Sequence, residues 1–487
     1  MRLDTMREQE IKTRCETALE KLKALQPQLN AIVTFVDIDE QLEELKDIDA
    51  DAPLYGMPVV LKDNISTCGI RTTASSRILD NYVPVYDAAI VEKLKAAGAV
   101  IIAKASMDEL GMGGTNKNAY TGKVSNPYDL ARISGGSSGG SAVSVAAGAV
   151  AVSIGTDTGD SVRKPAAYNG IIGVKPTYGR ISRYGIIPYA SSLDHVGYFT
   201  TNVEDACTML EVLAGRDDRD MTSSMRPVEA YRALLDSDVS GKVIGVLDNV
   251  QEAISDERVK ENLNALLSRL EARGAQIRHV RMPQELMETV LPVYLTIANA
   301  EATANHSNLD GIRYGMREPG ESVEEVMKHS RTKGFSAYVR KRFIIGSYSL
   351  FVENQDKLFR KAQKIRRLIV DHFRELLQEC DCIIASAAPG VAPLEHEAAD
   401  EAMGAQHLVA DNHMVLGNFS GYPSMTLPSG FLDGLPIAVN ITCRPFEEVT
   451  MFNIGKAIEE ESGLADNTVE VKALITSQSS ASRSTAS

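Results

Sequence analysis

Twice along this chain a short β-branched apolar run leads into a helical stretch, a glycine stop and a second β-branched run. This alternation restricts the fold to an α/β layout with a buried sheet. In the first instance Gly56-Met57-Pro58-Val59-Val60-Leu61-Lys62-Asp63-Asn64 reads as a strand with a lysine at its end. Ala88 to Ala97 then has helical periodicity, Gly98 terminates it, and Ala99 to Ala103 is strand-like. The second instance has strand Val243 to Leu247, a helix from about Glu257 to Arg273, Gly274, and strand Gln276 to Val280. A helix is also expected from about Ile11 to Leu29, and a mostly helical insertion over about 283–380. Strand signals return at Cys382-Ile383-Ile384, Ser424 to Leu427 and Ile437 to Ile441, and a last helix runs from about Glu447 to Glu461. Residues 1–465 are read as one domain and 466–487, rich in serine, as a disordered tail.

Charge narrows the function classes. Asp and Glu number 65 against 51 Lys and Arg, a net charge of −14, which argues against a broad cationic face gripping nucleic acid unaided. No apolar run approaches the ~20 residues needed to span a bilayer, and the start has no signal-peptide core, so a cytoplasmic location is expected. The six cysteines are scattered, and only Cys380 and Cys382 are close; this is neither a disulfide framework nor a metal spacing. No metal site is expected.

The chemistry lies between Ile133 and Gly179, where two Gly/Ser loops flank a helix of small residues. The first loop is Ser134-Gly135-Gly136-Ser137-Ser138-Gly139-Gly140-Ser141. The second is Gly155-Thr156-Asp157-Thr158-Gly159-Asp160-Ser161-Val162-Arg163-Lys164-Pro165-Ala166. Such loops can aim backbone N–H groups at an anion or a developing oxyanion. A phosphate-binding P-loop would need a lysine after the loop, which Gly140-Ser141-Ala142 lacks. Gly135-Gly136-Ser137-Ser138-Gly139 formally satisfies the Gly-x-Ser-x-Gly elbow, but that reading leaves the second loop without a role.

Lys62, Ser137 and Ser161, spaced by 75 and 24 residues, resemble the amidase signature family. The resemblance implies an amidase signature fold, α/β with a large mixed sheet covered by helices on both faces. It also implies Ser161 as nucleophile, Ser137 bridging it to Lys62 with a cis peptide bond, and Lys62 as base. The chemistry suits these residue types. A serine hydroxyl needs its proton removed, and a lysine can accept one only if desolvation lowers its pKa. A bridging hydroxyl can both accept and donate. By the same resemblance the backbone of Thr158, Gly159 and Asp160 should form the oxyanion hole, with Ser138 at the substrate.

Met107-Asp108-Glu109-Leu110-Gly111-Met112-Gly113, Gly173 to Arg180, Ser191-Ser192-Leu193-Asp194 and Asp310-Gly311-Ile312-Arg313-Tyr314-Gly315 sharpen the resemblance. Within the family they point to the glutamine-hydrolysing subunits of the amidotransferases that serve glutamyl-tRNA(Gln) and aspartyl-tRNA(Asn). Such a subunit forms a glutamyl-enzyme ester and passes ammonia to a B subunit, which handles the tRNA, with a small C subunit clasping the pair. This chain would then hold no cofactor, ATP and Mg being expected at the B subunit. Arg342 should hold the glutamine carboxylate and Asp411 its ammonium. Two alternatives are a stand-alone amidase of small amides, active without partners, and a divergent subunit with weak or no glutaminase activity that serves in assembly.

The chain departs from the family at Asp160, where glycine is usual, and at Lys164, where glutamine is frequent. Asn169, His195, Tyr198 and the segment Ala385 to Pro389 are further departures. A carboxylate aimed into the oxyanion hole would oppose the charge formed there; Asp tolerates left-handed backbone geometry better than most residues, and Asp160 is expected to pair with Lys164 at i, i+4, turning the carboxylate away from the hole.

Overall fold

The computed structural model describes residues 8–398, 404 and 406–471. Its frame is an 11-stranded sheet. In chain order the strands are β1 Ile32–Phe35, β2 Met57–Lys62, β3 Ala99–Ala105, β4 Val152–Asp157, β5 Ile172–Lys175 and β6 His195–Thr200. They continue as β7 Val243–Leu247, β8 Gln276–Val280, β9 Cys382–Ser386, β10 Ser424–Leu432 and β11 Leu435–Cys443. Across the sheet the order is β1-β3-β2-β4-β6-β5-β10-β11-β9-β7-β8. Two parallel trios, β3-β2-β4 and β9-β7-β8, are joined through antiparallel β6, β5, β10 and β11, so the sheet is mixed as expected.

β2 shows how the sequence sets this frame. All six residues are buried, as in a strand paired on both sides and covered on both faces. Alternation sends Val59 and Leu61 into one core, with the helices Ala89–Ala96, Val203–Leu213 and Glu448–Ser462. Val60 joins the opposite core, beneath the helices Glu8–Leu29 and α1, Gly139–Ala146. Pro58 is tolerated because pairing with β4 begins only at Val59. Gly140 lets α1 sit low on the sheet edge, since a Cβ there would lie 2.3 Å from the Ala31 carbonyl oxygen.

The expected helical stretch resolves into Gln284–Asn305, Val323–Gly334, Ala337–Leu350 and Phe359–Leu376, which cover a third core. Residues 466–471 are tied back to the body: Asp466 N–H donates to the Thr201 carbonyl at 2.9 Å and Val469 N–H to that of Ala146 at 2.8 Å. The rest of the expected tail, 472–487, lies outside the described residues. All six cysteines are free thiols. Among the described residues no helix is long and apolar enough to cross a membrane.

Candidate active site

Lys62 ends β2 and Asp157 ends its parallel neighbour β4, so the two glycine-rich loops meet at the carboxyl edge of the parallel trio, where open α/β sheets place ligands. The first loop turns sharply beneath the sheet edge. Gly136 can have no side chain, because a Cβ would lie 2.0 Å from Asp108 Oδ2 and 2.8 Å from the Asn116 backbone nitrogen. The Gly136–Ser137 peptide is cis.

Lys62 has no exposed surface. Its Nζ lies 2.8 Å from Ser137 Oγ, 2.8 Å from Ser138 Oγ and 3.2 Å from the Thr156 carbonyl oxygen. Burial lowers its pKa to about 7, although Asp108, Asp157 and Asp194 pull the other way.

An ammonium could give one N–H to each of the three oxygens, and a neutral amine, with two N–H donors and one lone pair, is served equally well if one partner donates to it. The Thr156 carbonyl can only accept. Ser138 Oγ spends its own proton on that carbonyl at 3.0 Å and accepts the Thr156 N–H at 3.3 Å. Towards Lys62 it too can therefore only accept. Ser137 is left as the one partner able to donate to the amine lone pair. Ser138, expected at the substrate, thus has its hydroxyl turned inward.

Ser161 begins where β4 has ended and before α2, Arg163–Asn169. It is 4% exposed, and its carbonyl accepts the Ser138 N–H at 3.2 Å, which ties the two loops together. Among the described residues no hydrogen bond joins its hydroxyl to Ser137, so the resting structure makes the lysine–serine link and leaves the second open. The N–H groups of Thr158, Gly159, Asp160 and Ser161 donate to no acceptor among the described residues, whereas the next two, of Val162 and Arg163, go to Asp157 Oδ2 at 3.0 and 3.4 Å. The Thr158 hydroxyl points elsewhere, to Asp194 Oδ1 at 2.7 Å.

A buried ion pair that sequence reasoning passed over holds this loop. Arg163 and Asp157 have no exposed side-chain surface, and Arg163 Nη2 donates to Asp157 Oδ1 at 3.0 Å, to the Gly159 carbonyl at 2.8 Å and to Asn418 Oδ1 at 2.6 Å. Burial alone would raise the Asp157 pKa, but Arg163 and Asn418 hold it well below the usual carboxylate range. Arg163 stands inside the motif already singled out, so an arginine two residues after Ser161 was the available signal. Asn169, another departure, donates to the carbonyls of Ser134 and Pro165 at 2.7 Å each and clamps α2 to the first loop.

Asp160, which precedes Ser161 in the chain, lines a cavity of about 460 Å³ together with Lys164, Tyr294, Arg342, His407 and Asp411, among others. Arg342 and Asp411, 69 residues apart, are thus brought to one wall system with Asp160. The Arg342 guanidinium lies over the Tyr338 ring at 4.7 Å and bonds its hydroxyl.

Asp160 pairs with Lys164 at i, i+4 as expected, although Lys164 has a closer carboxylate. The Asp160 backbone is not left-handed, since φ is not positive. Lys164 does stand one turn on, its N–H donating to the Asp160 carbonyl at 2.8 Å, but its Nζ is 3.9 Å from Asp160 Oδ2 and only 2.6 Å from Asp411 Oδ1. Lys164 is buried and takes Asp411 as its main partner because the 406–414 segment folds over it. His407 Nδ1 lies 3.2 Å from the other Asp411 oxygen. Burial raises the Asp160 pKa to about 7, Lys164 opposing it only in part.

Residues 14–452 match the model of the amidase family. The A subunit of glutamyl-tRNA(Gln) amidotransferase from Lactobacillus delbrueckii subsp. bulgaricus is 39% identical over 450 residues, 92% of each chain. Its namesake from Koribacter versatilis is 41% identical over 91% of this chain and 93% of its own. Among solved structures, the crystal structure of the same amidotransferase component from Thermotoga maritima is 34% identical, with a TM-score of 0.80 and 96% of both chains covered. The peptide amidase of Stenotrophomonas maltophilia is 27% identical, with a TM-score of 0.79 and 93% and 94% covered.

Proposed function

This chain belongs to the amidase family, and on that premise we propose that it is the glutamine-hydrolysing subunit of a tRNA-dependent amidotransferase. The observation that carries the chemistry is the bonding of Lys62. In its neutral form, with both N–H groups given to Ser138 and Thr156, the amine would direct its lone pair at Ser137, 2.8 Å away.

On this reading, Ser161 Oγ attacks the side-chain amide carbon of glutamine. Its proton moves to Ser137 Oγ while the Ser137 proton passes to Lys62. The missing Ser137–Ser161 contact fits a resting site, because such bonds tighten when substrate arrives. Negative charge on the former carbonyl oxygen is met by the unengaged N–H groups between Thr158 and Ser161, each well-aimed donor being worth ~3 kcal/mol. Collapse breaks the C–N bond, and the proton held by Lys62 returns through Ser137 to the departing nitrogen, so ammonia leaves and a glutamyl ester stays on Ser161. Water, deprotonated by the same relay, then releases glutamate. Arg342 suits the substrate carboxylate as a planar fork of donors.

The ammonia would pass to a B subunit that amidates glutamyl-tRNA(Gln) or aspartyl-tRNA(Asn), using ATP and Mg, with a C subunit completing the assembly. A cytoplasmic site of action goes with this role. The net charge of −14 agrees with tRNA contacts lying mainly on the partner.

The test is glutamine hydrolysis by the chain with its copurified subunits. Activity and a trapped glutamyl ester should be present, and both lost in Ser161→Ala. Turnover that survives Ser161→Ala would refute the reading. Hydrolysis of other small amides by the chain alone, without glutamine turnover, would identify a stand-alone amidase instead.

A further inference from the structure

Four carboxylates line the cavity, Asp160, Asp256, Glu397 and Asp411. Asp256 holds Arg258 at 2.7 Å and Glu397 is exposed, while Asp160 and Asp411 share Lys164 and are not equally free. Asp411 has both oxygens engaged, Oδ1 by Lys164 Nζ at 2.6 Å and Oδ2 by His407 Nδ1 at 3.2 Å. Burial works to raise its pKa, but Lys164 and His407 prevail and keep it ionised, so its charge is already balanced by the protein. Asp160 has only the Lys164 ammonium, 3.9 Å from Oδ2, and no hydrogen bond to either carboxylate oxygen among the described residues. Its side chain is 18% exposed, and it faces the same cavity as Arg342.

Resting on the glutaminase reading, we propose that Asp160 is the specificity-determining residue that receives the α-ammonium group of the substrate, in place of Asp411. The extended path from the reacting amide carbon of glutamine to its α-nitrogen is about 5 Å, and Asp160 is the residue adjoining the nucleophile, one Cα step of about 3.8 Å away. A carboxylate with unspent oxygens gains more from an incoming ammonium than one already holding a lysine. The burial that lifts the Asp160 pKa to about 7 has the same meaning, since a cation that fits the site would restore its charge. Lys164 acts as a positioning residue, removing Asp411 from competition and holding Asp160 at arm's length. The substrate class that follows is an α-amino acid amide, carboxylate on Arg342 and ammonium on Asp160.

The full chain, with the subunits that copurify with it, should be assayed on L-glutamine and on glutaramate, the same amide without the α-amino group. For wild type, Asp160→Asn and Asp411→Asn, the quantity compared is the ratio of kcat/KM for glutamine over glutaramate. The expected result is a fall of at least about tenfold in that ratio for Asp160→Asn, carried by the glutamine KM, and a smaller fall for Asp411→Asn. The inference is overturned if Asp160→Asn changes both substrates equally, if it raises kcat for both, or if Asp411→Asn alone collapses the ratio. A wild-type chain that hydrolyses neither amide would overturn the glutaminase reading and this inference with it. Glutamine turnover combined with an unselective Asp160→Asn would overturn this inference alone.

Discussion

At the floor of the site, around buried Lys62 and outside the cavity lining, each partner comes from a strand end or a glycine-rich loop, and the contacts run between 2.8 and 3.2 Å. On the wall, Lys164, Asp411, His407 and Asp160 divide charge among long side chains from α2, the loop before it and the distant 406–414 segment. On the proposed mechanism the floor fixes a proton path with backbone geometry. The wall balances charges, so one altered residue redistributes the rest: the lysine that accompanies Asp160 has taken Asp411. Chemistry and specificity are therefore separable here, and floor variants should change kcat where wall variants change KM.

The sharpest break of that comparison is Ser161→Ala, expected to lower kcat for glutamine by ~10⁴-fold or more. Lys62→Met should follow with a loss of ~10²–10⁴-fold, the range for a general base, and little change in KM. Steady-state kinetics check both, and a Lys62→Met effect confined to KM would dissolve the distinction between floor and wall.

Arg163→Met tests what supports the floor. It leaves the fully buried Asp157 carboxylate without its arginine, and the expected cost is about 3–5 kcal/mol of folding stability, read by denaturant unfolding. Lys164→Met, on a wall where the Asp411 side chain is 29% exposed and keeps His407, should cost less, about 1–3 kcal/mol. Equal losses would mean that the two regions are built alike.

The pH dependence carries both regions at once. Lys62 must be neutral to take a proton, so kcat should fall about tenfold per unit as pH drops below about 7 and level off above it. Asp160 must be ionised to hold an ammonium, so the glutamine KM should rise as pH drops through about 7. Asp160→Asn should abolish the change in KM and keep the slope in kcat. The smallest effect belongs to Lys164→Met at pH 8, where release of Asp411 should lower the glutamine KM by about threefold.

What the sequence made legible follows from the same contrast. The β-branched runs revealed β2, β3 and β7 because short parallel strands buried on both faces need continuous apolar residues, whereas β8, at the sheet edge with Gln276, Arg278 and His279 exposed, was legible from its place after a helix and Gly274. Lys62, Ser137 and Ser161 stood out because a lysine ending a buried strand and two serines in glycine-rich loops are unusual combinations. Their convergence still needed β2 and β4 to be neighbours, which no local pattern states. The ties between Arg163 and Asn418 and between Lys164 and Asp411 span 255 and 247 residues. Helical spacing favoured Asp160 as the partner of Lys164, since i, i+4 is the nearest turn. That pair forms at 3.9 Å, and tertiary folding added a closer carboxylate, Asp411, at 2.6 Å.

The central claim is that Lys62 is a neutral amine at working pH, and the direct measurement is its own titration. Protein labelled with 13C at the lysine ε-carbons, with Lys62→Met to assign the signal, can be followed by NMR from pH 5 to 11. A proton acceptor buried as Lys62 is should titrate with a midpoint near 7. A Lys62 that stays cationic until about pH 10 or above, like a lysine in water, would contradict the claim.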